Sequence, residues 1–130
     1  MITVGAKQLV DEANAEIETI SAEDALALQG DDNVVLIDIR DVRELKREGR
    51  VPGAKHMPRG MLEFWVDPDS PYYRDIFGSG KKFVFFCAGG LRSALATQQL
   101  QKMGLQPVAH IGGGFGAWRD AGGPIEIDEA

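Results

Sequence analysis

The sequence predicts one α/β domain: a parallel sheet of about five strands with helices on both faces. Three observations lead there. Apolar runs at 17–20, 34–38, 54–57, 83–87 and 108–111 have strand length, and most are rich in Val, Ile and Phe. The segments between most of them carry helical spacings or caps, so strand and helix alternate along the chain. The 130 residues, 44% hydrophobic and 26% charged, suit a single globular domain with a substantial core, and no repeat or linker divides them.

Residues 1–16 are polar and read as an N-terminal extension, an extra helix or a frayed arm, ahead of a domain at 17–126. Ile17–Ile20 is the first strand. Ser21, with Asp24 three residues on, resembles a capping box for a helix through Leu28. Val34–Asp38 is a buried strand, Val42–Glu48 a short charged helix, and Ala54–Met57 a third strand. The stretch 61–77 holds five of the ten aromatic residues. Its plain reading is helix or loop packed over the sheet. Two sharper readings are an apolar wall beside the functional loop, with Trp65 or Tyr72 at an acceptor, and an exposed dimer patch. Phe83–Cys87 is the fourth strand. From Ser93 a helix follows, with Ala94, Ala96, Leu100 and Met103 at helical spacings and Gly104 as its stop. Val108–Ile111 is the fifth strand. Open sheets of this kind bind ligands beyond the carboxyl ends of their strands, which is where Asp38 and Cys87 fall.

Cys87 is the only cysteine, which excludes an internal disulfide and any CxxC redox pair. It heads the loop Ala88-Gly89-Gly90-Leu91-Arg92-Ser93, between a buried strand and a helix start. Free N–H groups and the positive end of the helix dipole favour an anion there, and Arg92 adds charge. The glycines let the backbone curl and turn its N–H groups inward. A lone cysteine is often a small buried hydrophobe, but an inert thiol needs neither two glycines nor an arginine at a helix start. The loop therefore reads as a nucleophile in an anion cradle. Asp38, at a strand end, is expected to bond the loop's N–H groups, and Arg40 to pair with Glu44, both as support. His56 and His110 stand at no metal-ligand spacing from a second donor and read as hydrogen-bonded structural imidazoles, with a Cys–His pair to Cys87 as the geometrically open alternative. No metal or organic cofactor is expected.

The formal charge of −6 argues against nucleic acid as a partner. Charge is unevenly spread: residues 1–33 hold eight acids against one lysine, and residues 40–59 hold seven Lys/Arg against three acids. The basic stretch is a solvated face or, if it folds beside the loop, an attractor for an anionic substrate. The chain has no apolar segment of membrane-spanning length and no signal-peptide pattern, so a membrane role is not expected and the cytoplasm is.

Four ordered motifs carry a family resemblance. Cys87-Ala88-Gly89-Gly90-Leu91-Arg92-Ser93 resembles the C-x-x-G-x-R-S active-site loop of the rhodanese-like sulfurtransferases. Leu36-Ile37-Asp38-Ile39-Arg40 with Glu44, and Gly49-Arg50-Val51-Pro52-Gly53-Ala54 with Pro58, are similar to its D-x-R…E and G-x-I-P-G-A segments. Gly113-Gly114-Phe115-Gly116-Ala117-Trp118, then Gly122-Gly123-Pro124, looks like its GG-x-x-x-W…G-x-P ending. The resemblance implies a three-layer rhodanese fold and sulfur transfer through a Cys87 persulfide. The amides from Ala88 to Arg92 and the Ser93 hydroxyl would hold the extra sulfur, and Arg92 would orient the donor. Implied partners are a small sulfur donor such as thiosulfate and a thiol or cyanide acceptor; a homodimer is left open. Ala88 stands where many relatives have a basic residue, which brings a protein persulfide or another sulfane sulfur into view as donor. Rival readings are a cysteine phosphatase or arsenate reductase, whose cradles are C-x5-R where this chain has C-x4-R, and a non-enzymatic sulfur carrier or sensor.

Overall fold

The computed structural model describes residues 1–127. Its strands are β1 (Glu18–Ile20), β2 (Val34–Asp38), β3 (Lys55–His56), β4 (Lys82–Phe86) and β5 (Val108–Ile111). They form one sheet in the order β1-β5-β4-β2-β3, and every pairing is parallel. The helices are α1 (Ala6–Glu16), α2 (Ala22–Leu28), α3 (Val42–Glu48), α4 (Leu62–Val66), α5 (Leu91–Lys102) and α6 (Gly114–Asp120). The expected α/β class and strand count are therefore what the chain adopts. None of the helices among the described residues is long and apolar enough to cross a membrane.

Because side chains alternate along a strand, each buried strand feeds two cores. Val35, Ile37, Phe83, Phe85 and Val108 pack with Leu62 and Val66 of α4 and Ala96 and Leu100 of α5. Leu36, Val84, Phe86, Ala109 and Ile111 pack with Ala22 and Ala25 of α2 and Phe115 and Trp118 of α6. Burial on both faces is why β2, β4 and β5 read as continuous apolar runs. Cys87 follows Phe83 and Phe85 in parity and lies in the first core. His110 follows Val108 in the same way, paired in register with Phe85.

Several local expectations need correction. The helix after Cys87 begins at Leu91, because its N-cap is Gly90 in a left-handed conformation (φ +101°), not Ser93. Ser21 does accept from the Asp24 amide, but the reciprocal capping box is at α3, between Asp41 and Glu44. Helix α6 follows Gly112-Gly113, a stretch whose composition reads as turn. The polar N-terminal residues form α1, seated on α5 through Val10, Ala13 and Ala94. In the aromatic segment, Trp65 and Tyr73 pack on the first core and Phe77 stacks against Phe83 with centroids 5.1 Å apart. Arg74 covers Trp65 at 4.5 Å, while Phe64 and Tyr72 remain exposed.

Candidate active site

The carboxyl ends of β2 and β4 lie side by side, with the Ile39 amide bonded to Phe86 O at 3.0 Å. Beyond them the two chains diverge, β2 into α3 and β4 into the cysteine loop. The loop is fastened from behind by the first turn of α6. Phe115 N donates to Cys87 O at 2.8 Å and Gly116 N to Ala88 O at 3.1 Å. Gly114 (φ +57°) makes that approach possible, since a Cβ there would run into the Cys87 carbonyl oxygen and the Ala88 backbone. Gly114→Ala is accordingly expected to lose about 2–4 kcal/mol in a denaturant melt, from left-handed strain plus overpacking. Gly89→Ala, whose Cβ meets nothing within 4 Å, should stay within about 0.5 kcal/mol of the parent.

Cys87 Sγ sits at the focus of the loop. It accepts from Gly90 N at 3.1 Å and Ser93 N at 3.4 Å, and lies 3.5 Å from Ser93 Oγ. Residues 88–92 curl around it, with Gly90 closing the turn against Gly113. The side chains at the mouth are Leu91, 65% exposed, and Arg92.

Arg92 is held by Glu44, whose two oxygens accept from both terminal guanidinium nitrogens at 2.9 Å. Glu44 also accepts from the Asp41 amide, closing the α3 cap. The Arg92 guanidinium holds the Glu44 carboxyl down at about 2, and Glu44 in turn, with the Cys87 sulfur contributing, raises the pKa of Arg92. Because the folded carboxyl titrates below its ordinary value of 4.5, the pair's contribution is complete above that pH and fades as pH falls towards 2. Arg92 is 43% exposed, so the contribution is under about 1 kcal/mol. Glu44→Gln should therefore cost that much at pH 7 and progressively less as pH falls from 4.5 through about 2, which paired urea melts would measure. Arg43, Arg47 and Asp41 line the same open cleft as Glu44 and Arg92, about 400 Å³ in volume. Two residues of the basic stretch, Arg43 and Arg47, thus fold beside Arg92, while Arg40 is buried and Lys55 and Arg59 lie elsewhere.

Asp38 and Arg40 do not act as expected. Arg40 does not pair with Glu44, which Arg92 occupies; its fully buried guanidinium grips Asp38, with Nε at 3.0 and 3.1 Å and Nη2 at 2.8 Å. It also donates to Gly49 O at 2.8 Å and lies 4.0 Å from the Phe115 ring centroid. Asp38 spends its remaining bond on the Arg40 amide, not on the cysteine loop. The two residues, at i and i+2 on one side of the extended chain, tie β2 to the end of α3 and to α6 beneath the loop. His56 donates to Arg40 O at 2.7 Å, a structural bond.

His110 is the residue that sequence reasoning undervalued. Its Nδ1 lies 2.9 Å from Ser93 Oγ, so it is one hydroxyl away from Cys87. Strand parity placed it on the face that Cys87 continues, and that parity was the available signal. Among the described residues no cluster of three or more His, Cys, Asp or Glu could hold a metal ion.

A family model for the rhodanese-like domain matches residues 21–121. The chain belongs to the rhodanese-like family. Among solved structures, a protein of unknown function and possible tyrosine phosphatase from Rhodopseudomonas palustris is 62% identical to this rhodanese-like domain. The match covers 97% of each chain with a TM-score of 0.94. The polysulfide-sulfur transferase homodimer of Wolinella succinogenes is 30% identical, over 95% of this chain and 88% of the other, with a TM-score of 0.71. A tRNA uridine(34) hydroxylase of Brucella anthropi is 35% identical over 99 residues, 74% of this chain. The domain spans 30% of that hydroxylase and 54% of a Synechocystis relative.

Proposed function

We propose that this rhodanese-like domain is a sulfurtransferase, carrying sulfane sulfur on Cys87 from an anionic donor such as thiosulfate to a thiol or cyanide. The observation that carries the reading is the convergence of the Gly90 and Ser93 amides on Cys87 Sγ inside a four-residue ring closed by Arg92. In a reducing compartment Cys87 is a free thiol. Its thiolate attacks the outer sulfur of the donor; the donor's S–S bond breaks and sulfite leaves with the electron pair. The persulfide's outer sulfur carries the negative charge, which the loop amides and the start of α5 stabilise. Cyanide or an acceptor thiolate then attacks that sulfur, and Cys87 is regenerated.

The C-x4-R ring also argues against phosphate as the natural substrate. A tetrahedral oxyanion needs donors for three oxygens around the nucleophile, whereas the Gly90 and Ser93 amides point at a single sulfur. Turnover with thiosulfate and cyanide, run beside aryl phosphate hydrolysis, tests the assignment. Arg92→Ala should raise KM for thiosulfate roughly 10- to 100-fold, the worth of one or two charge-assisted hydrogen bonds, and Arg92→Lys should recover only part of the loss. Cys87-dependent phosphatase activity exceeding sulfur transfer would replace this reading with the phosphatase one. A single turnover with every acceptor would replace it with the sulfur-carrier one.

A further inference from the structure

We infer that His110 is the proton store for Cys87, taking the thiol proton through Ser93 while Cys87 carries sulfur and returning it when the sulfur leaves; this rests on reading Cys87 as the nucleophile. The direction of the hydrogen bonds carries the inference. His110 Nε2 lies 3.0 Å from Asn14 Oδ1, an oxygen that can only accept, and 3.1 Å from Thr19 Oγ1. In a neutral ring Nε2 therefore holds the hydrogen and Nδ1 is bare. A bare Nδ1 at 2.9 Å must accept the Ser93 O–H. Ser93 has no second proton to give, so at 3.5 Å its oxygen accepts from the Cys87 S–H. Every bond in the chain runs from thiol to imidazole.

The proton step balances without any other reactant. The Cys87 proton moves to Ser93 Oγ as the Ser93 proton moves to His110 Nδ1, and the S–H electron pair stays on sulfur. The products are a thiolate and an imidazolium separated by one hydroxyl. Sulfur transfer replaces the thiolate by an equally charged persulfide, so the imidazolium remains paired. Release of the sulfur reverses the transfer.

The surroundings suit this role. The imidazole is 2% exposed, and burial lowers its pKa, so it rests neutral and holds a proton only while the thiolate or persulfide one hydroxyl away supplies the opposite charge. Ser93 faces it from α5, Asn14 from α1 and Thr19 from β1, and the small cleft beside it has no other titratable lining. The charged groups on the sulfur side are Arg92 and its partner Glu44. A merely structural imidazole in a strand needs a partner, but not a continuous path to the only cysteine. Helix α1, which lies before the family-matched residues 21–121, gains a role from the same bonds, because its Asn14 selects the tautomer.

The test is the pH dependence of Cys87 alkylation by iodoacetamide in the full chain, for the parent, His110→Gln and Asn14→Ala. Glutamine can hydrogen-bond Ser93 but cannot store a proton. His110→Gln is expected to slow alkylation at neutral pH roughly tenfold and to move the profile to higher pH, with rates converging where the thiol ionises unaided. Asn14→Ala should move it the same way by less. Superimposed profiles for the parent and His110→Gln would overturn the proposal. Should His110→Gln not fold, Asn14→Ala combined with Thr19→Val decides, since the pair removes both acceptors of the Nε2 hydrogen at residues that are themselves exposed; an unmoved profile overturns the proposal equally. No sulfur donor is used, so a failure of sulfur transfer and a failure of the proton store are read separately.

Discussion

Replacing Asp38 with alanine is expected to cost about 3–5 kcal/mol of stability, a larger loss than Gly114→Ala or any change at the cleft. The reason is not the worth of the ion pair but what its removal leaves behind. The Arg40 guanidinium is fully buried, and its terminal nitrogen not bonded to Asp38 or Gly49 lies 3.8 Å from Glu48. Without Asp38 that cation keeps the Gly49 carbonyl, the face of Phe115 and, as its one countercharge among these, the partly exposed Glu48 carboxylate at 3.8 Å, beyond hydrogen-bond reach. The loss should reach the site, because the Asp38 carbonyl accepts from Met57 and Phe115 holds the Cys87 carbonyl. Urea melts measure it. A loss below about 1 kcal/mol would mean that solvent enters to replace the carboxylate, contrary to the burial described. Replacing both residues together by apolar ones of similar volume should recover part of the loss, as buried pairs often exchange for hydrophobic contact at little cost.

The largest functional effect is expected from Cys87→Ser. The hydroxyl fits the space of the thiol and keeps the loop's hydrogen bonds, so the fold should be retained. As a nucleophile, and as a carrier of a second sulfur, it is far poorer. Thiosulfate-to-cyanide turnover should fall by at least about a thousandfold, within the range that loss of an essential nucleophile produces. Residual turnover above about one hundredth of the parent, in protein shown to be intact, would move the chemistry to another group.

Much of this architecture could be read from residues alone, and the reasons are specific. β2, β4 and β5 are buried on both faces, so Val34–Asp38, Phe83–Phe86 and Val108–Ile111 are largely apolar and need no partner to be recognised. The cysteine loop was legible because two glycines and an arginine at a helix start have few other uses. Helix α6 was hidden because its start is backbone geometry at Gly113 and Gly114, and glycine there signals a turn. The pairing of Arg40 was misjudged because helical spacing to Glu44 is as plausible on paper as the i to i+2 approach to Asp38 along an extended chain. Arg92 and Glu44 lie 48 residues apart, and no local rule connects them. The contact of Asn14 with His110, 96 residues apart, depends wholly on how α1 seats on α5.

The proposed sulfur transfer depends on Cys87 carrying one sulfur atom. Intact mass spectrometry of the reduced protein after incubation with thiosulfate, before and after cyanide, tests this most directly. The expected result is a gain of one sulfur (roughly 32 Da) that cyanide removes and that Cys87→Ser never acquires, since only a thiolate forms the persulfide. An unchanged mass with thiosulfate and with every other sulfane donor, at a thiol shown to be free, would contradict it.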